Sequence, residues 1–351
     1  AVTTSGTTGE PAVLLHDRNS WIVMNVISRL RIRWAFRSRQ LIGDLGRRGL
    51  RVAALYAAGG HFGANVLVET ARRRAPVLAS RIRMFPVLQS ADDLVAELNG
   101  FQPTILSGYP SAIALLAGEQ QAGRLHIHPV FALVAGEELT PAMRRQIEGA
   151  WGCRLVHSYA SSEVPGLALP CRVGTLHVNA DWYLMEPIDE LGRPVPPGTM
   201  SYSVLVTNLA NRIQPVIRYD LGDRVRIGTD ACACGSPLPT VTVEGRTNDV
   251  LAFSSPTGAE VAVLPLAIET AVEVVPGVHR FQVIQTGPDA LAVRLETEPG
   301  AAVQDVRATV ESALARFLAE LGATGVEILH DPLPPQQQPR SGKLRHVFAA
   351  L

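Results

Sequence analysis

Between Thr3 and Pro11 the chain runs Thr-Thr-Ser-Gly-Thr-Thr-Gly-Glu-Pro, five hydroxyls and two glycines in nine residues. Glycines let a backbone approach a phosphate closely, while N–H groups and hydroxyls donate to its oxygens. No Gly-Lys-Ser/Thr follows, so this is not a Walker loop. Composition alone favours a flexible Ser/Thr/Gly tail. A second set, Cys171, His177, Cys232 and Cys234, supplies three thiolates and one imidazole, the ligands of a closed structural zinc site. Its spacing is looser than that of zinc fingers, and three buried cysteines with a surface histidine remain the alternative. Cys153, beside Arg154 in an expected strand, reads as core. Lys343, in Pro339-Arg-Ser-Gly-Lys343, sits on a proline-rich loop, where a lone lysine is ordinarily a solvated charge.

The elements that must position these groups are legible from pattern. From Leu50 to about Val156, apolar runs such as Arg51–Tyr56 and Val130–Ala135 alternate with helix-like stretches, Ser111–Gln121 and Pro141–Ala150. Strand alternating with helix predicts an α/β layer with a largely parallel sheet. Thr175–Arg226 is β-rich and broken by Gly-Arg-Pro and Pro-Pro-Gly turns, which suits an antiparallel sheet or a distorted barrel. After Gly245-Arg-Thr-Asn-Asp249 come a helix near 265–274, strands near 280–285 and 290–296, and an amphipathic helix at 303–321. That order predicts a compact α+β domain. The expected division is a large domain over 1–247 with α/β sheets and a β-rich subdomain, then a small α+β domain over 248–351. The most informative motif begins only three residues from the start, so an N-terminal stretch is expected to be missing from the large domain.

The order of motifs along the chain resembles the adenylate-forming superfamily. Thr4-Ser-Gly-Thr-Thr-Gly-Glu-Pro11 resembles its ATP-phosphate loop, which implies that Thr4, Ser5, Gly6, Thr7, Thr8 and Gly9 bind ATP. Tyr159-Ala-Ser-Ser-Glu163 resembles Tyr-Gly-x-Thr-Glu. That implies an aromatic residue against adenine at Tyr159, a nucleotide contact at Ser162 and a Mg²⁺ ligand at Glu163, with Ala160 departing from glycine beside the acyl group. Ile217-Arg-Tyr-Asp-Leu-Gly-Asp223 resembles Arg-Tyr-x-Thr-Gly-Asp, with Leu221 replacing threonine, and implies that Asp223 binds ribose. Gly245-Arg-Thr-Asn-Asp249 resembles the interdomain hinge, with Arg246 reaching the nucleotide and Asn248 and Asp249 turning. Pro339–Lys343 resembles the loop carrying the catalytic lysine. An ammonium between an incoming carboxylate and the α-phosphate would orient the nucleophile and offset developing charge.

Within that superfamily the chain resembles the phenylacetate–coenzyme A ligase group. His177-Val-Asn-Ala-Asp-Trp-Tyr-Leu-Met-Glu186, Asp189–Gly198 and Ala231-Cys-Ala-Cys-Gly235 carry the resemblance, which covers nearly the whole chain. It implies ATP, Mg²⁺ and coenzyme A as cosubstrates, and zinc on the Cys/His set. It implies an acyl pocket lined by Tyr56, Gly59, His61, Phe62, Gly136, Glu137 and Ala160, and an aryl or arylacetic acid as substrate. His61 reads equally as a core histidine. After the hinge, Ser254–Pro265 departs from the group's Arg-Gly-x-Asn-x-Phe-Pro, keeping only Gly258, Pro265 and Glu269. That departure favours an alternative acceptor: an amine, a hydroxyl or a carrier-protein thiol. A catalytically idle ATP- or acyl-binding module is the other alternative.

The bulk composition bounds the partners. Thirty-two basic residues balance thirty-two acidic ones, which leaves no electrostatic footprint for nucleic acid or an anionic membrane. The 351 residues are 47% hydrophobic and 18% charged, with no apolar run long enough to span a bilayer and no signal-peptide pattern at the N-terminus. Four cysteines are too few for a disulfide scaffold. A cytoplasmic enzyme acting on a small carboxylic acid is expected, and a homodimer is compatible with it.

Overall fold

The structure, a computed structural model, describes residues 2–3, 13–36, 39–56, 63–74, 76–87, 89–246, 251–255, 260–263, 265–337 and 344–350. The chain divides into two compact units, one of residues 1–221, 225–242 and 339–343, the other of 222–224, 243–338 and 344–351.

The first unit opens with two short strands, β1 (Val2–Thr3) and β2 (Val13–Leu14), paired antiparallel through Val2 with Leu14 and Thr3 with Val13. Helices α1 (Arg18–Ile32) and α2 (Arg39–Arg48) follow. Then strand and helix alternate: β3 (Val52–Tyr56), α3 (Gly63–Arg74), β4 (Ile82–Pro86), α4 (Ala91–Phe101), β5 (Ile105–Gly108), α5 (Pro110–Gln121), β6 (Phe131–Ala135), α6 (Pro141–Trp151) and β7 (Arg154–Ser158). The five strands form one parallel sheet in the order β4-β3-β5-β6-β7. Ala53, Ala54 and Leu55 are essentially fully buried, as a strand covered on both faces requires. Local sequence sets the helix boundaries. Ser90 caps α4 by accepting from Asp93 N–H at 3.1 Å, with Asp92 and Asp93 in the first turn. Thr140 caps α6 ahead of Pro141, and Gly152 ends that helix in the left-handed region at φ 58°.

After β4 the chain crosses behind β3 and adds β5 on its other side, so the strand order reverses between β3 and β5. At that reversal the strands approach closely. A Cβ on Gly108 would lie 2.7 Å from the carbonyl oxygen of Leu55, so only glycine fits. The core beneath is built from Leu55, Phe85, Leu98, Leu106, Ile113 and Val134.

Beyond β7 the chain is β-rich: β8 (Ala168–Pro170) with β9 (Leu176–Val178), β10 (Tyr183–Ile188) with β11 (Ser203–Asn208) and β12 (Tyr219–Asp220), and β13 (Asp223–Ile227) with β14 (Val241–Arg246). Among the described residues these strands pair in groups of two or three, antiparallel in β8–β9 and β10–β11–β12, and backbone hydrogen bonds from Val178 N–H to Pro239 O and from Ser201 N–H to Val225 O link one group to the next. The Gly192-Arg-Pro and Pro196-Pro-Gly turns interrupt pairing, and proline lacks the N–H a ladder needs.

The second unit holds β15 (Leu251–Ser254) with β16 (Glu260–Val263), α7 (Pro265–Glu273), the hairpin β17 (Val278–Gly287) and β18 (Ala290–Thr297), α8 (Val303–Glu320), β19 (Glu327–His330) and β20 (Val347–Ala349). Its main sheet has the order β19-β18-β17-β20, antiparallel in the hairpin and parallel at both edges. Val306, Val310, Leu314 and Leu318 recur every four residues on α8 and are buried, the pattern of a helix lying on a sheet. No helix among the described residues is long and apolar enough to cross a membrane.

Candidate active site and metal centre

Parallel α/β sheets bind ligands outside the carboxyl ends of their strands, at the point where strand order reverses. Tyr56 ends β3, Gly108 ends β5, Gly136 and Glu137 follow β6, and Tyr159 and Ala160 follow β7. The register joins these ends, with Leu55 opposite Gly108, Gly108 opposite Val134 and Ala135 opposite Ser158. Three predicted site elements, at the ends of β3, β6 and β7, therefore meet at one edge of the sheet, with Gly108 of β5 between them.

Side-chain contacts make that edge firm. The Tyr56 hydroxyl lies 3.0 Å from Ser107 Oγ, and its ring meets Tyr109 edge-to-face at 5.1 Å. Burial pushes the Tyr56 phenol above its ordinary value, so it stays protonated, with the Ser107 hydroxyl bond opposing that shift. Glu137 Oε2 accepts from Ser111 N–H at 3.1 Å. Tyr109 makes no side-chain cap of its own at the start of α5, so Glu137 serves that helix N-terminus from another loop. The Glu137 carboxylate is thereby engaged in holding the wall.

His157, on β7 opposite Val134, bonds the Glu137 backbone and fixes the same loop from its other side. Burial lowers its pKa from 6.5 to about 4, with the Glu137 backbone bond opposing. The imidazole is thus neutral in the folded protein at pH values where the unfolded chain already binds a proton. Stability is whole above about pH 6.5 and falls as pH drops toward 4, with a slope of at most about 1.4 kcal/mol per pH unit from this group. Urea denaturation of His157→Gln between pH 7 and 4.5 is expected to show a shallower decline than wild type. Identical slopes would reject the assignment.

The Tyr159–Glu163 motif is closed by a two-way bridge, Tyr159 N–H to Ala168 O at 3.0 Å and Ala168 N–H to Tyr159 O at 2.9 Å. Ser162 is half-buried within this turn and Glu163 is buried. Asp223 is buried at the start of β13, in the segment grouped with the second unit, and Arg246 ends β14. Thr4, Ser5, Gly6, Thr7, Thr8, Gly9, Gly59, His61, Phe62, Asn248, Asp249 and Lys343 lie outside the described residues.

The Cys/His set converges. The ligand atoms of Cys171, His177, Cys232 and Cys234 all lie within 4.8 Å of one another. Cys171 Sγ is 3.8 Å from Cys232 Sγ, and Cys234 Sγ is 3.4 Å from His177 Nε2. A tetrahedron with Zn–S bonds of about 2.3 Å has sulfur–sulfur edges of about 3.8 Å, whereas a disulfide is about 2 Å long. His177 Nδ1 donates to Leu238 O at 2.8 Å, which turns the Nε2 lone pair toward Cys234. Ser236 N–H donates to Cys234 Sγ at 3.3 Å. The Cys232 thiol is drawn down to about 6, chiefly by the Cys234 backbone N–H, with His177 contributing. Donor chemistry and spacing fit a zinc ion, and all four cysteines are free of disulfides. Cys153 is buried in the core.

His16, Ser107, Tyr109, His157 and Asn208 were not singled out from sequence. Each is a lone polar or aromatic residue in an ordinary run, and its partner is far away along the chain.

No family model matches the chain. It is 28% identical over 373 aligned positions to phenylacetate–coenzyme A ligase of Thermus thermophilus, covering 98% of this chain and 79% of that one. Protein CapK of Staphylococcus aureus is 27% identical over 161 positions, 45% of this chain and 34% of that protein. Among solved structures, 2-hydroxyisobutyryl-CoA ligase in the postadenylation state with 2-HIB-AMP superposes with a TM-score of 0.71 at 21% identity, covering 99% of this chain and 73% of that one. Anthranilate CoA ligase with anthranoyl-AMP gives 0.64 at 16% identity, over 98% and 64%. The fold is that of the adenylate-forming ligases. In sequence the chain is similar to phenylacetate–coenzyme A ligase over nearly its whole length.

Proposed function

We propose that this protein activates an aryl or arylacetic acid with ATP as the acyl-adenylate and passes the acyl group to coenzyme A. The observation that carries the reading is the meeting of Tyr56, Gly136–Glu137 and Tyr159–Ala160 at the carboxyl edge of the sheet, beside the reversal of strand order. Tyr56 and Tyr109 make the pocket wall there partly aromatic, which suits a flat acyl group. Tyr159 lies against adenine, and Ser162 and Asp223 contact the nucleotide with Arg246. The loop from Thr4 to Gly9 cradles the phosphates, and Glu163 takes Mg²⁺. Gly59, His61 and Phe62 complete the acyl pocket.

Lys343 steadies the charge that develops as the carboxylate attacks the α-phosphate and pyrophosphate leaves. The large domain is residues 1–247 and the small one 248–351, and turning about Asn248 and Asp249 withdraws Lys343 for thioester formation. Cys171, His177, Cys232 and Cys234 hold a structural zinc that staples the turn after β8 to the loop after β13. Free cysteines and zinc thiolates suit a reducing cytoplasm. No basic excess supports a nucleic-acid partner.

The test is pyrophosphate release with Mg·ATP and a panel of aryl and arylacetic acids, with and without coenzyme A. Acid-dependent release that turns over only with coenzyme A is the expected result. Turnover with an amine or a carrier thiol in its place would establish the other acceptor, which the altered loop Ser254–Pro265 favours. Intact ATP binding with no release for any acid would leave a binding module.

A further inference from the structure

Two successive backbone carbonyls in the Tyr159–Glu163 motif are held by side chains from distant parts of the first unit. His16 Nε2 lies 2.9 Å from Ser162 O, and Asn208 Nδ2 donates to Glu163 O at 3.0 Å. Both holding groups are themselves fixed. His16 Nδ1 is 3.2 Å from the hydroxyl of buried Ser20, whose N–H donates to Asp17 Oδ1, the cap of α1. With Nδ1 accepting the Ser20 proton, the partners assign the ring hydrogen to Nε2, which donates to Ser162 O. Burial keeps the His16 pKa below its ordinary value and favours that neutral form. Asn208 is buried, and its Oδ1 accepts from Ala210 and Asn211 N–H at 3.0 and 3.2 Å, which sets the direction of its amide.

The turn that Asn208 makes also grips the base of the phosphate loop. Asn211 Nδ2 donates to Leu15 O at 2.7 Å, and Leu15 N–H donates to Gln214 Oε1 at 2.6 Å. Leu15 therefore finds in two side chains the partners that a neighbouring strand would otherwise supply. Leu15 directly follows β2, whose pairing with β1 closes the ends of the 4–12 segment. Stem, His16, the 208–214 turn and the Glu163 backbone thus form one connected set of hydrogen bonds.

We propose that His16 and Asn208 are positioning residues that hold the Glu163 carboxylate at a set distance and orientation from the phosphate-loop stem. The proposal rests on the reading of Glu163 as a ligand of the Mg·ATP complex. Pinning the carbonyls of residues 162 and 163 fixes both peptide planes around Glu163, and with them the direction in which its side chain leaves the backbone. His16 and Asn208 reach the backbone of residues 162 and 163 and are not among the residues assigned to the acyl pocket, so their loss acts first on the geometry at Glu163. A displacement of about 1 Å at such a site costs on the order of 100-fold in rate.

His16→Ala, His16→Gln and Asn208→Asp test this in the full chain. The glutamine amide can still donate to Ser162 O, and the aspartate keeps the turn-making oxygen while losing the donor to Glu163 O. Pyrophosphate release gives kcat and KM, and mass-spectrometric hydrogen exchange follows peptides spanning 159–168. The expected result for His16→Ala and Asn208→Asp is a fall in kcat of about 100-fold with KM for the acid within about two-fold. Faster exchange confined to 159–168 accompanies it, with a near-native melting temperature in His16→Ala and a lowered one in Asn208→Asp, whose buried carboxylate faces the Glu163 carbonyl, and His16→Gln recovers at least about ten-fold of the rate. Native kcat in His16→Ala, equal impairment of the alanine and glutamine variants, or unchanged exchange at 159–168 each overturn the proposal. If the wild type releases no pyrophosphate with any acid, the functional reading fails, and the exchange comparison alone decides whether the clamp exists.

Discussion

Lys343→Ala is expected to lower acid-dependent pyrophosphate release by about 100- to 1000-fold while ATP binding changes only a few-fold. The magnitude is that of removing one group aimed at charge developing in a transition state, and such groups contribute little to ground-state binding. Attack of one anion on another needs a cation between them, and in Pro339–Lys343 the nearest alternative, Arg340, lies three residues away. Its fork geometry suits a fixed carboxylate pair better than a point charge shared between two oxyanions. Lys343→Arg is therefore expected to recover less than a tenth of the lost rate. The second half-reaction separates this role from general damage. Supplied with preformed acyl-adenylate and coenzyme A, Lys343→Ala should make thioester at close to the wild-type rate. A variant equally slow in both half-reactions would show that Lys343 is structural.

Metal analysis of the purified protein is expected to find one zinc per chain, and its removal by chelation should lower the melting temperature by about 10 °C. The ligands come from two stretches some sixty residues apart, Cys171 with His177 and Cys232 with Cys234, so the ion closes a long loop. Metal-binding energy that the unfolded chain does not share becomes folding energy. A loss of about 3–5 kcal/mol, at about 2–4 °C per kcal/mol in a unit of this size, gives the stated shift. Cys232→Ser should remove the zinc and reproduce the shift. Cys153→Ser should keep the zinc, because that thiol lies in the core outside the set. A zinc content near zero in freshly purified protein, with the melting temperature insensitive to chelator, would contradict the assignment.

Much of the fold was open to reading from sequence, because its signals are local. Apolar runs of strand length alternating with capped helices specify the βα units, and Ser90, Thr140 with Pro141, and Gly152 place helix boundaries within a few residues. The predicted stretches Arg51–Tyr56, Val130–Ala135 and Pro141–Ala150 correspond to β3, β6 and α6. The β-rich region was legible in type only. Antiparallel strands and barrels share the same alternation, and closure depends on which distant edges pair.

For the site, residue order alone pointed to a class of chemistry, since Thr4–Pro11, Tyr159–Glu163, Asp223 and Lys343 follow one another in the order of the motifs they resemble in the adenylate-forming superfamily. Cysteine and histidine content named a metal set, but spacing left zinc and a reduced core as alternatives. Only the tertiary structure brought the four ligand atoms within 4.8 Å of one another, through a turn after β8 and a loop after β13. It likewise decided that Glu137 caps α5 and that His157 braces the Glu137 loop. It set His16 and Asn208 on the carbonyls beside Glu163. The physical reason is the same in each case: a hydrogen bond between residues 146 positions apart, as from His16 to Ser162, leaves no periodic or compositional trace. Its partners are chosen by the packing of whole elements, and a lone polar residue in an apolar run looks alike whether it is solvated, buried or holding a site in place.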